Sequence, residues 1–169
     1  MAQRSRPGGD LVPALLLGAA TGLRSQTGWA CLLARSDGAR LPARFRNPWI
    51  RRAALVAAAG ELVVDKLPST PARTAPLPLA ARMVFGALTA GTGAATIDGA
   101  APPAAAVGAL AALGAAFAGR AARQAVTDRT RRGATGPAPT RRAFVIAVVE
   151  DAVAIALATG GAQLLVKET

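Results

Sequence analysis

The chain has 169 residues, 52% of them hydrophobic and only 17% charged, with a net charge of +11 and a mean hydropathy of +0.35. This balance is too apolar for an ordinary soluble domain and points to an all-α, polytopic membrane helix bundle. One cysteine, no histidine and no tyrosine exclude a disulfide scaffold and argue against zinc and imidazole chemistry, so no metal, cofactor or enzyme activity is expected.

A tail, 1–10, carries Arg4 and Arg6, and residues 11–167 read as a single transmembrane domain of four to five apolar segments, with at least one short, broken or re-entrant. The first segment, 11–34, follows no convincing cleavage site and is expected to be a retained span rather than a signal peptide. Its middle, Thr21-Gly22-Leu23-Arg24-Ser25-Gln26-Thr27-Gly28, sets a charge and several hydrogen-bonding side chains between two apolar halves. Glycines on both sides permit a break, at which freed backbone N–H groups beside Arg24 would suit an anionic group. The alternative is a continuous helix with Arg24 paired to Glu61 or Glu150. Gly18 and Gly22 form a GxxxG, a signal of close helix packing.

The second segment, 53–66, has only about a dozen apolar residues before Asp65-Lys66-Leu67-Pro68, roughly 18 Å of a hydrocarbon core about 30 Å thick. It is the candidate for a re-entrant half-helix. Glu61 and Asp65 stand four apart, on one helix face. In a low-dielectric setting both cannot ionise cheaply, so one keeps a proton or recruits a cation, or else Lys66, Arg73, Arg82 or Arg24 neutralises the pair. The third segment, 77–97, holds Arg82 near its start and a small-residue stripe at Gly86, Ala90 and Ala94. After Pro102-Pro103 the fourth, 103–119, runs into a basic loop, 120–142, and the fifth, 143–166, contains Glu150 and Asp151. Adjacent residues lie about 100° apart on a helix, so one of these two is expected inside and the other against an arginine or a loop.

Six arginines fall within 35–52 and seven within 120–142. By the positive-inside rule both stretches should be cytoplasmic, yet three simple spans between them would put them on opposite sides. Either one intervening segment turns back, or the chain inserts in both orientations and pairs antiparallel. Two short likenesses suggest an inverted repeat: acidic pairs in valine-rich settings at 58–65 and 148–154, and Gly-Ala-x-Thr at 18–21 and 86–89.

The Gly-Leu-Arg-Ser-x-Thr stretch at 22–27, Gly-Glu-Leu-Val-Val-Asp-Lys-Leu-Pro at 60–68, Pro71-Ala72-Arg73 with Arg82, and Val-Glu-Asp-Ala-Val-Ala-Ile at 149–155 together resemble the domain of unknown function 4126 family of small bacterial integral-membrane proteins. The resemblance, over most of 11–161, implies a membrane protein and brings no catalytic residues with it.

Asp37-Gly38 with Ala43-Arg44 has the wrong spacing for the metal site of membrane CDP-alcohol phosphotransferases, and only Asp65 with Asp151 could imitate an intramembrane aspartyl protease. The expectation is a small inner-membrane transporter or channel, a homodimer with a site of Arg24, Ser25, Gln26 and Thr27 facing Glu61, Asp65, Glu150 and Asp151. Lys66, Arg73 and Arg82 complete the charge set, the basic loops meet anionic lipid headgroups, and no nucleic acid is expected. The rival is a membrane scaffold or lipid-binding protein whose buried charges only pair.

Overall fold

A computed structural model describes residues 11–36, 40–64, 76–133 and 139–167. Six α-helices follow one another: α1 (Leu11–Leu23), α2 (Thr27–Arg35), α3 (Pro48–Val64), α4 (Pro76–Ala95), α5 (Ala101–Gly133) and α6 (Pro139–Lys167). No strand occurs among the described residues. Alanine, the strongest helix former, is present in all six helices, both in the core and on the outside. Ends are marked by local chemistry. Asn47 accepts the Trp49 N–H at 2.9 Å in front of Pro48, an N-cap followed by the residue best suited to the first helical position. At the α4 C-terminus the Gly99 N–H reaches back to the Ala94 carbonyl at 2.9 Å, with Asp98 in the left-handed region at φ 55°.

The first apolar segment is not one helix. It breaks at 24–26 and doubles back: a methyl group built at Gly28 would come within 2.8 Å of the Leu17 carbonyl oxygen and 2.6 Å of the Thr21 side chain. In a straight helix Leu17 and Thr21 would lie about 16 Å and about 10 Å from Gly28 along the axis. The reversal therefore lies in the first segment, not the second, which forms the continuous 17-residue helix α3.

The hairpin α1–α2 is the centre of the bundle. Beside α1, α5 runs in the same direction, Gly18 against Gly108 and Gly22 against Ala112. Helix α4 runs the opposite way, with Gly86 packed on Gly108 and Arg82 reaching the Gly22 carbonyl. So does α6, placing Asp151 at Arg24 and Gly161 at Leu16 and Leu17. Between α1 and α4, Gly108 lets three backbones converge where any Cβ would collide. The expected packing role of the GxxxG and of the Gly86, Ala90 stripe is met there.

Above the reversal the core is apolar. Leu17, Leu32 and Leu165 are buried and crowd around Gly93, and Trp29 packs edge-on against Phe45 with ring centroids 4.8 Å apart. Helix α3 packs chiefly on α2. Two helical stretches, Ala101–Asp128 and Val145–Lys167, are long and apolar enough to cross a membrane, and Leu11–Leu23 is a shorter apolar helix. The outside of the bundle is rich in apolar side chains, among them Val56, Val63, Leu77, Val84 and Leu110.

All helices share two ends. At the mouth of the hairpin, α1 begins, α2 ends and α3 begins, its Arg51 donating to the Ser36 carbonyl at 3.1 Å. At the tip lie residues 24–26, Glu61, Arg82, Glu150 and Asp151.

Candidate functional site

Breaking a helix frees backbone groups on both sides of the break, carbonyls at the end of the first half and N–H groups at the start of the second. Both sets are satisfied here by charged side chains from other helices. Arg82 of α4 donates to the Gly22 carbonyl at 2.6 Å and to the Leu23 carbonyl at 3.1 Å, placing a cation at the negative end of the α1 dipole. Glu61 of α3 accepts the Ser25 N–H at 2.7 Å on Oε1 and the Gln26 N–H at 2.8 Å on Oε2. The Gln26 side chain makes no cap to α2; Glu61 instead holds the two N–H groups just ahead of its first turn. Glu61 and Arg82 themselves stand 4.0 Å apart.

Arg24 occupies the break and is fully buried. Its guanidinium is paired with Asp151 of α6. Glu150, the neighbouring carboxylate, points elsewhere and pairs with Arg123 of α5. Gly119 makes room for it, since a Cβ there would lie 2.8 Å from the Glu150 Oε1. The two adjacent acids thus serve two helices, as their angular separation requires.

Arg24, Ser25, Gln26, Glu61, Arg82 and Asp151 come together at the tip, and Glu150 joins through Arg123 on its periphery. Thr27 is buried at the first turn of α2. Asp65, Lys66 and Arg73 lie outside the described residues. The alternative of a continuous helix with Arg24 paired to Glu61 or Glu150 is not what forms: the helix breaks, and the partner is Asp151. Arg123 carried no signal in the sequence beyond membership of a basic stretch. Thr92 of α4 carried none, and Thr89 stood out only as the last residue of a Gly-Ala-x-Thr stretch; both are buried along with Thr21 in an interior rich in alanine, glycine and leucine. The regular spacing of Arg82, Gly86, Thr89 and Gly93 on one α4 face is the trace that could have marked Thr89 as interior.

Among the described residues no cluster of His, Cys, Asp and Glu suits a metal ion. The constellation is one of opposed charges fixing a backbone break. Comparison with family models, curated proteins and solved structures finds no match to this chain.

Proposed function

We propose that the chain is a small multi-pass transporter or channel of the inner membrane, without enzyme activity, that moves an anionic solute or lipid phosphate group through the charged tip of the α1–α2 hairpin. It acts as a homodimer, and its basic ends contact anionic lipid headgroups. The observation that carries this proposal is the fully buried Arg24, paired with Asp151 at a helix break whose two ends are held by Arg82 and Glu61. Charges inside an apolar body are costly and tend to mark a pathway or a relay, and broken helices at membrane depth occur where they line such a site.

The chemistry of exchange centres on Glu61. Its carboxylate occupies the place an external anion would take: on the Ser25 and Gln26 N–H groups just ahead of α2, near the Arg82 guanidinium. Protonation removes its charge, weakens its hold on those N–H groups and opens the position to a carboxylate or phosphate oxygen from the solute. Deprotonation expels that guest. Towards the mouth, Thr21, Thr89 and Thr92 supply hydroxyls along α1 and α4, and Leu17, Leu32 and Leu165 close the passage at Gly93. The inverted repeat is supported by the two Gly-Ala-x-Thr stretches, which sit on antiparallel helices and converge on Gly108.

A membrane scaffold remains the second candidate, favoured by the pairing of Asp151 with Arg24 and Glu150 with Arg123. Reconstituted vesicles separate the two. Wild-type protein is expected to couple proton movement to uptake of an organic acid or phosphate, and Glu61→Gln to uncouple them while binding the anion across a wider pH range. Absence of flux from wild-type vesicles, with Glu61→Gln changing stability alone, selects the scaffold.

A further inference from the structure

The hairpin in the first segment decides how the basic stretches are distributed. Because α1 and α2 return to the end from which they start, α3, α4 and α5 lie between the two arginine-rich stretches. The six arginines of 35–52, together with Lys167, belong to the mouth end; the seven arginines of 120–142 lie on the α5 and α6 segments at the tip end. Among the described residues seven basic positions therefore flank the bundle at each end, Arg24 and Arg82 of the tip being buried within it. Orientation in a bilayer is set by an excess of Lys and Arg on one side, and acidic residues contribute little to that choice. Among the described residues that flank the bundle the excess is zero.

Resting on the membrane placement proposed above, we propose that the chain inserts in both orientations in comparable numbers and that its partner is an inverted second copy, docked along α3. Helix α3 is the least covered element, packed chiefly on α2, with Leu55, Val56 and Val63 exposed. Its charges are polarised: Arg51 and Arg52 stand at the mouth end, while Glu61 at the tip end is turned inward onto Ser25 and Gln26. An inverted copy keeps the arginine ends of the two α3 helices apart and opposes their dipoles; a parallel copy sets arginine against arginine and aligns the dipoles. Around a crossing near Ala57, Ala53 of one copy faces Gly60 of the other. Gly60 is open, with nothing within 4 Å of a Cβ placed there.

The test fuses the full chain at its C-terminus to alkaline phosphatase, active only outside the cytoplasm, and separately to a fluorescent protein that matures only inside. Both fusions are expected to be active from the membrane fraction, and adding three lysines after Thr169 is expected to silence one of them. Activity of a single reporter from membrane-bound protein overturns dual insertion and leaves the membrane placement standing; recovery of the chain in the soluble fraction overturns both. For the interface, the background is Cys31→Ser. Ala53→Cys and Gly60→Cys expressed together are expected to give an oxidised dimer, while Ala53→Cys alone gives none. A dimer from Ala53→Cys alone indicates parallel pairing, and no dimer from either combination removes α3 as the interface; either result overturns this docking.

Discussion

Arg24 and Asp151 form the pair on which the tip depends. Removing one member of a buried ion pair strands the other, which costs about 3–5 kcal/mol, whereas replacing both with apolar residues of similar size is often neutral. Asp151→Asn is therefore expected to lower stability by several kcal/mol, and the double variant Arg24→Met, Asp151→Leu to recover most of that loss, measured by denaturant unfolding in detergent. Recovery of stability without recovery of flux would separate the structural from the functional part of the pair. Asp98 offers a change of opposite sign. A residue with a Cβ at φ 55° carries strain of about 1–2 kcal/mol that glycine lacks, so Asp98→Gly is expected to raise the thermal midpoint. A fall would mean that the Asp98 side chain holds the α4–α5 turn by a contact of its own.

At the scale of elements, the glycines divide by what surrounds them. Gly108 is trapped between the backbones of α1 and α4, with the Gly86 carbon and oxygen atoms and the Ala90 methyl against the site of its missing Cβ. Backbones cannot yield as side-chain tips do, so Gly108→Val is expected to separate the three helices and abolish the folded bundle, seen as loss of protease resistance. By contrast, Gly114 on α5 and Gly160 on α6 have nothing within 4 Å of a Cβ. In a helix interior glycine is about 0.8–1.0 kcal/mol less favourable than alanine. Gly114→Ala and Gly160→Ala are accordingly expected to be neutral or stabilising by up to about 1 kcal/mol, unless either surface is covered by a partner, in which case the same methyl weakens the dimer.

For the whole molecule, the two basic ends predict binding to anionic bilayers by charge alone. Stabilisation by anionic over neutral lipid is expected near 0.1 M salt and to vanish near 1 M, where the screening length falls to about 3 Å; a salt-insensitive gain would instead indicate a specific lipid pocket. Much of this architecture was legible beforehand. The apolar runs place α4, α5 and α6, and the glycines flanking Arg24 mark the break, because only a polar, glycine-bounded interruption explains charge in the middle of such a run. The reversal was not legible: a 24-residue apolar stretch has the length of a span whether it crosses or folds back, and the deciding contact, Gly28 on Leu17, is a matter of tertiary packing. For the same reason the short apolar count at 53–66 understated α3, whose first turn is built from Pro48, Trp49 and two arginines that hydropathy scores as loop. Pairing was legible only as a set of options. Charge says that Arg24 needs an acid; the separation of 127 positions between it and Asp151 leaves which acid to the fold.

The doubling back of α1 and α2 bears on which helix fixes sidedness. In the membrane placement proposed above, the two arms of the hairpin begin and end on one face and cancel each other as topological signals. The choice then falls to α3, which carries Arg51 and Arg52 at its start and Glu61 near its end, so that a change of charge in this one helix is enough to turn the whole bundle over.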